Sequence, residues 1–193
     1  MFIRSWKKEL LTIPNILSMF RLLLIPVYMR MYLQASTKLD FYLAGTVLGI
    51  SCLTDLADGK IARAFNMISN VGKLLDPLAD KLTQFALILS LSFKYRILYP
   101  ILFLFLLKEI FQFISLLIFA QTGKFLPGAL ISGKVCTTVL YSSLFLLVLI
   151  PDLNQKVVLI LVTADALFLL YAFAEYANAY FGKNSKLTDL QNE

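Results

Sequence analysis

Four aspartates in two short clusters dominate the chemistry available to this chain. From Thr54 to Lys81 it reads Thr-Asp-Leu-Ala-Asp-Gly-Lys-Ile-Ala-Arg-Ala-Phe-Asn-Met-Ile-Ser-Asn-Val-Gly-Lys-Leu-Leu-Asp-Pro-Leu-Ala-Asp-Lys. Asp55 and Asp58 stand at i, i+3 and Asp76 and Asp80 at i, i+4, so on helices each pair shares a face. Like charges about 4 Å apart repel by roughly 4 kcal/mol at an effective dielectric near 20. Either such carboxylates protonate or cations bridge them. Hard divalent ions suit an all-oxygen site, and a chain without histidine disfavours zinc. Two Mg²⁺ or Mn²⁺ ions are the economical expectation. Gly59 and Ala62 follow Asp55 at i+4 and i+7 and leave room for a bulky ligand or a close partner helix. Arg63, at i+8, offers a cation suited to phosphate oxygens, and Gly72 stands one turn before Asp76. Metals, an arginine and a cleft of small residues point to a diphosphate substrate.

Each part has a plainer reading. Two acids near a span end are as readily a solvated rim, and Gly and Ala in membrane helices commonly serve packing. Lys60 and Lys73 read as solvated charges, and Lys81 as a neutralising neighbour of Asp80. The joint occurrence of all the parts carries the chemical reading.

The elements that must position these residues are membrane helices. Of 193 residues, 59% are apolar and 16% charged, against roughly 45–50% and about 25% in a typical soluble chain. A soluble protein this small lacks the core volume to bury so much hydrocarbon. Cys52 and Cys136 both lie in apolar stretches, so no disulfide framework is expected. A bilayer span takes about 20 mainly apolar residues. Six segments qualify or nearly so, at roughly 15–34, 40–64, 71–93, 97–120, 128–150 and 157–181. All are expected to be helical, because backbone polar groups in lipid must be satisfied within their own segment. The expected fold is therefore all-α: a six-helix transmembrane catalytic domain over 14–181, preceded by an interfacial amphipathic helix at 1–13. A polar tail, 182–193, is expected to fray. The turn at 65–70 joins the second and third helices antiparallel, which brings both acidic pairs near one membrane surface. Each Asp near the bilayer centre costs about 2.5–3.5 kcal/mol, and less towards the interface.

Lysine and arginine near the span ends suggest cytoplasmic termini. That orientation puts Arg4, Lys7, Lys8, Lys60, Arg63, Lys73, Lys124, Lys183 and Lys186 inside, and Lys38, Lys94, Arg96 and Lys156 outside. The formal charge of +6 suits contact with anionic lipid. The basic residues are dispersed among the spans, which argues against nucleic acid as a partner.

The spacing D-x2-D-G-x2-A-R-x8-G-x3-D-x3-D over Asp55–Asp80 resembles the motif of the CDP-alcohol phosphatidyltransferase family at all eight fixed positions. The resemblance implies six transmembrane helices, a site facing the cytoplasm from the cytoplasmic membrane, and a homodimer. It implies transfer of a phosphatidyl group from CDP-diacylglycerol to an alcohol, with release of CMP. By position, Asp55, Asp58, Asp76 and Asp80 would hold two divalent ions, with Asp80 also the base for the acceptor hydroxyl. Gly59, Ala62, Arg63 and Gly72 would line the CDP-lipid pocket.

The acceptor is marked less sharply. Ile13–Pro26 resembles the start of the family's phosphatidylglycerophosphate synthases and of the related cardiolipin synthases, and carries Arg21 inside the span. An intramembrane arginine is a functional candidate by default, and equally an interhelical partner for an acid. Lys108-Glu109 stands where the first of those branches often has Arg-Glu, and Leu116 lies near the place of a second arginine. Gly133-Lys134-Val135-Cys136-Thr137 resembles a Gly-Lys-x-Lys-Thr stretch with Cys136 for the second lysine. Lys134, Lys108 and Arg21 are the candidate acceptor residues, with a snorkelling lysine as the plainer reading of Lys134. Glycerol 3-phosphate is the first choice of acceptor, and a lipid alcohol such as phosphatidylglycerol follows. A cation transporter is the reading from a different class; no inverted repeat of broken helices supports it.

Overall fold

The computed structural model describes residues 12–64, 72–121, 124–125, 130–182 and 188–189, without the side chains of 13, 56–64, 73–74, 120, 124–125 and 188–189. The expected amphipathic helix at 1–13 and the turn at 65–70 lie almost wholly outside the described residues. Among the described residues six long helices carry the fold: α1 (Ile13–Gln34), α2 (Lys38–Ala64), α3 (Gly72–Lys94), α4 (Tyr99–Gln121), α5 (Ile131–Leu149) and α6 (Gln155–Phe181). They follow the six apolar segments to within a few residues. A 3₁₀ turn, Arg96–Leu98, leads into α4.

Among the described residues, four helices are long and apolar enough to cross a membrane by length and composition: α1, α4 with its preceding turn, α5 and α6. Of the six expected spans, α2 and α3 are not among those that meet this measure. Their uncharged stretches run only over 41–54 and 82–93, because the acidic clusters and their neighbouring cations occupy the remaining turns. Within the tail, Thr188–Asp189 pairs antiparallel with Lys124–Phe125, Lys124 facing Asp189, so these backbone groups satisfy each other.

The chain divides into two compact units. The first comprises residues 1–93 and 148–151. Here α1 starts at Thr12 with Pro14 in the first helical positions, where a missing N–H costs nothing. Its inward face is unusually polar: Asn15, Ser18 and Arg21 are all buried, followed by Tyr28 and Tyr32. Helix α2 opens on a capping box. The Thr37 hydroxyl accepts the Asp40 N–H at 3.3 Å, and the Asp40 carboxylate accepts the Thr37 N–H at 2.8 Å. Ala44, Leu48 and Ser51 face inward one turn apart, and Tyr32 packs edge-on to Phe41 at 5.4 Å. A Cβ at Gly45 would meet the end of the Leu149 side chain at 2.7 Å and push it aside, so α2 passes close to the end of α5 here. Helix α3 is buried along much of its length, from Ala79 through Leu87 and Ile88 to Leu91, and Ser90 hydrogen-bonds Tyr28 of α1 at 3.1 Å.

The second unit comprises residues 94–147 and 152–193. Its seam between α4 and α6 is aromatic: Phe111 meets Phe173 at 4.9 Å, and Phe119 stacks on Tyr180 at 5.4 Å. Asn154 caps α6 by accepting the Lys156 N–H at 2.9 Å. Between α5 and α6, Ser143 donates to the buried Asp165 at 2.5 Å. Large apolar side chains such as Leu23, Phe103 and Ile160 are about two-thirds exposed, which a surface facing lipid tolerates and one facing water would not.

Candidate active site

Three helices of the first unit converge their polar side chains. Arg21 on α1 reaches the carboxylate of Asp55 on α2 at 2.6 Å and forms a second ion pair with Asp80 on α3. The Asp55 and Asp80 carboxyls also lie within hydrogen-bonding reach of each other. Asp76, one turn before Asp80, accepts the Ser18 hydroxyl from α1. So α1 supplies one donor to each turn of the acidic face of α3.

Exposure sorts these groups. The Arg21 side chain is 2% exposed, whereas those of Asp55 and Asp80 are each 42% exposed. The cation is sealed behind the acids, and the acids keep an open face. A buried guanidinium without carboxylate partners would be severely penalised. Two acids from different helices would in turn repel one another without a cation between them. The arrangement neutralises the pair from behind and leaves oxygen atoms directed to accessible space.

The donor set on that face is carboxylate oxygen, which fits a hard divalent ion and not a soft one. Among the described residues no group of three or more potential ligands is already arranged around one point. Asp58 follows Asp55 by one turn on α2, but its side chain, like those of Gly59, Ala62 and Arg63, lies outside the described ones. Gly72 is buried at the start of α3.

The candidate acceptor residues other than Arg21 belong to the second unit. Lys108 is buried on α4, pairs with Glu109 at 2.7 Å and sits 5.6 Å from the ring centre of Tyr176 on α6. The hydroxyl of the same tyrosine accepts the Leu130 N–H at 3.3 Å, and a Cβ on Gly133 would come within 2.7 Å of it. Lys134 is exposed on α5 beside Gly133. Cys136 is buried, and Leu116 is about half exposed.

Sequence reasoning passed over Ser18 and Tyr176. Ser18 had a signal: Asn15, Ser18 and Arg21 recur every three residues in an otherwise apolar helix, a polar stripe that must face protein. Tyr176 had none, since a tyrosine near a span end reads as an interfacial anchor.

Comparison with known proteins agrees with the motif. Residues 11–172 match the family described as CDP-alcohol phosphatidyltransferase. The chain is 39% identical over 140 residues to a CDP-diacylglycerol–glycerol-3-phosphate 3-phosphatidyltransferase of Aquifex aeolicus, covering 71% of this chain and 74% of that protein. It is 40% identical over 89 residues to a cardiolipin synthase (CMP-forming) of Streptomyces coelicolor, covering 45% of this chain and 41% of that protein. It is 32% identical over 165 residues to the cardiolipin synthase (CMP-forming) of Rattus norvegicus, covering 85% and 53% respectively. The chain thus spans about half the length, or less, of the cardiolipin synthases and three-quarters of the bacterial glycerophosphate enzyme. With a matched region that includes every position of the aspartate motif, the chain belongs to the CDP-alcohol phosphatidyltransferase family and is a transferase of substituted phosphate groups.

Proposed function

We propose that the chain transfers a phosphatidyl group from CDP-diacylglycerol to glycerol 3-phosphate and releases CMP. The observation that supports this most is the meeting of Asp55 and Asp80, from different helices, around the buried Arg21. Asp55, Asp58, Asp76 and Asp80 are the residues to hold two divalent ions, Mg²⁺ or Mn²⁺. Bound there, the ions supply charge neutralisation of the diphosphate and of the departing CMP. Arg63, with Gly59, Ala62 and Gly72, is assigned to the CDP end of the lipid. Asp80 takes the proton of the acceptor hydroxyl, whose oxygen bonds to the phosphatidyl phosphorus as the bond to the bridging oxygen of CMP breaks. A carboxylate fits the role of base in a chain without histidine. Arg21 holds Asp80 on its open side and keeps Asp55 beside it.

Glycerol 3-phosphate as acceptor is supported by the Aquifex relative, which carries that substrate in its name and aligns over most of this chain. Lys108 and Lys134 are the cations for its phosphate. The reading extends to a single six-span catalytic domain in the cytoplasmic membrane, with the site facing the cytoplasm and a homodimer as the assembly. A second reading, transfer to phosphatidylglycerol, is favoured by a specific feature. Lys108 is already neutralised by Glu109, and Cys136 is buried where a second phosphate-binding lysine would stand, so the cationic set for a phosphorylated acceptor is thin. Purified protein supplied with CDP-diacylglycerol, Mg²⁺ and each alcohol in turn separates the two. Label from glycerol 3-phosphate entering lipid supports the first reading. Entry of labelled phosphatidylglycerol alone replaces it with the second, and ion flux without CMP release would restore the transporter.

A further inference from the structure

The second unit contains a cavity of about 710 Å³ between the turn leading into α4 and the start of α6. Cavities of roughly 300–1,000 Å³ are the usual size of small-ligand sites. Its lining joins three cations, Lys94, Arg96 and Lys156, to the apolar side chains of Ile97, Val158 and Leu159. Asp152, on the neighbouring turn, acts electrostatically on Lys94 and Tyr95 and offsets one of the three charges. Arg96 and Lys156 are exposed, and neither forms an ion pair among the described residues. The phosphatidyl-transfer reading uses none of these groups.

The position of the cavity narrows the ligand. Helix α6 runs unbroken from Lys156 past Tyr176, about 30 Å at 1.5 Å per residue, which is the thickness of a hydrocarbon core. Within this unit the cavity therefore lies across the membrane from the Lys108–Tyr176 cluster. From its mouth, Leu159, Thr163 and Leu167 continue along one exposed face of α6 at i, i+4 and i+8. A cationic chamber opening onto an apolar helix face suits a molecule with a phosphate at one end and hydrocarbon at the other. A guanidinium is a forked donor matched to phosphate oxygens, and lysine adds a point charge. Free phosphate would use the cations and leave the apolar mouth unused.

We propose that this cavity binds the phosphate headgroup of an anionic phospholipid, with the acyl chains along the outer face of α6, at the membrane surface opposite the Lys108–Tyr176 cluster.

The test uses the full chain in detergent, with dioctanoyl phosphatidic acid as probe, dioctanoyl phosphatidylcholine as the zwitterionic comparison and millimolar inorganic phosphate as competitor. Retained lipid is counted by native mass spectrometry. The wild-type protein is expected to retain phosphatidic acid over phosphatidylcholine and to keep it against phosphate. Arg96→Gln with Lys156→Gln is expected to weaken retention about tenfold or more, as loss of two interfacial charges should. Arg96→Lys with Lys156→Arg keeps both charges in the same fold and is expected to retain the lipid. CMP release is expected to be unchanged in both, which separates this site from the proposed catalytic one. Undiminished retention in the Gln variant overturns the proposal, as does equal loss in the charge-preserving variant. Complete displacement by inorganic phosphate overturns the lipid assignment in favour of a simple anion site.

Discussion

The guanidinium of Arg21 lies 2.6 Å from the carboxylate of Asp55, joining α1 to α2 where the acidic face begins. Its other terminal nitrogen engages Asp80 on α3. One buried cation thus ties three helices together through two acids that remain partly open. One guanidinium offsets only one of the two carboxylate charges it touches. The surplus negative charge is what a divalent ion would neutralise.

Removing that cation makes the protein depend on metal. Breaking a buried ion pair costs about 3–5 kcal/mol, and the partial exposure of Asp55 and Asp80 reduces this to about 1–3 kcal/mol. Arg21→Ala is expected to lower the thermal unfolding temperature in the presence of a chelator, and Mg²⁺ to restore it over a wider span than in the wild-type protein. Thermal unfolding in detergent, with and without Mg²⁺, reads both shifts. Equal responses of the two proteins to Mg²⁺ would separate Arg21 from the ion-binding face.

Asp80→Asn removes both a proposed metal ligand and the proposed base while keeping the volume. Loss of a general base alone typically costs about 10²–10⁴ in rate. CMP release should fall by at least that much, with Arg21 still holding Asp55 and the unfolding temperature little changed. A variant that releases CMP at the wild-type rate would disqualify Asp80 as the base.

Ser18 offers a milder test, because it acts on Asp76 from outside the ligand set. Losing a hydrogen bond that orients a metal ligand commonly weakens metal affinity by about 10–100-fold. Ser18→Ala should therefore raise the Mg²⁺ concentration for half-maximal CMP release by about tenfold, with the saturated rate close to normal. A lower rate at saturating Mg²⁺ with no shift in the half-point would assign Ser18 to helix packing instead.

How much of this was legible beforehand follows from what leaves a local mark. The six helices were, since apolar runs of span length have few alternatives in a bilayer. The Asp55–Asp80 spacing was too, because carboxylates in such a run are costly unless used. Spacing alone leaves Arg21 open between ligand and interhelical partner. Choosing between them requires knowing that α1 packs against α2 and α3 with its polar stripe inward, a three-dimensional fact that spacing alone does not contain. The pairing of Lys124–Phe125 with Thr188–Asp189 was invisible for a similar reason. Two-residue strands have no periodicity to read. Tyr176 was hidden because its work is done through Gly133 and Lys108, distant in sequence and joined only by the packing of α4, α5 and α6.

Gly133 is where that packing can be tested without touching a charge. A methyl group there would come within 2.7 Å of the Tyr176 hydroxyl and 3.0 Å of the ring, closer than real Cβ contacts, so the ring must move. Tyr176 is buried, and its ring is stiff, which makes the movement costly: overpacking of this kind destabilises by about 1–3 kcal/mol. The displaced ring would also carry away the aromatic face beside Lys108. Gly133→Ala should lower the unfolding temperature and raise KM for the acceptor alcohol while leaving KM for CDP-diacylglycerol near its normal value. Equal rises in both KM values would instead place Gly133 and Tyr176 in the general support of the fold, with no particular bearing on the acceptor.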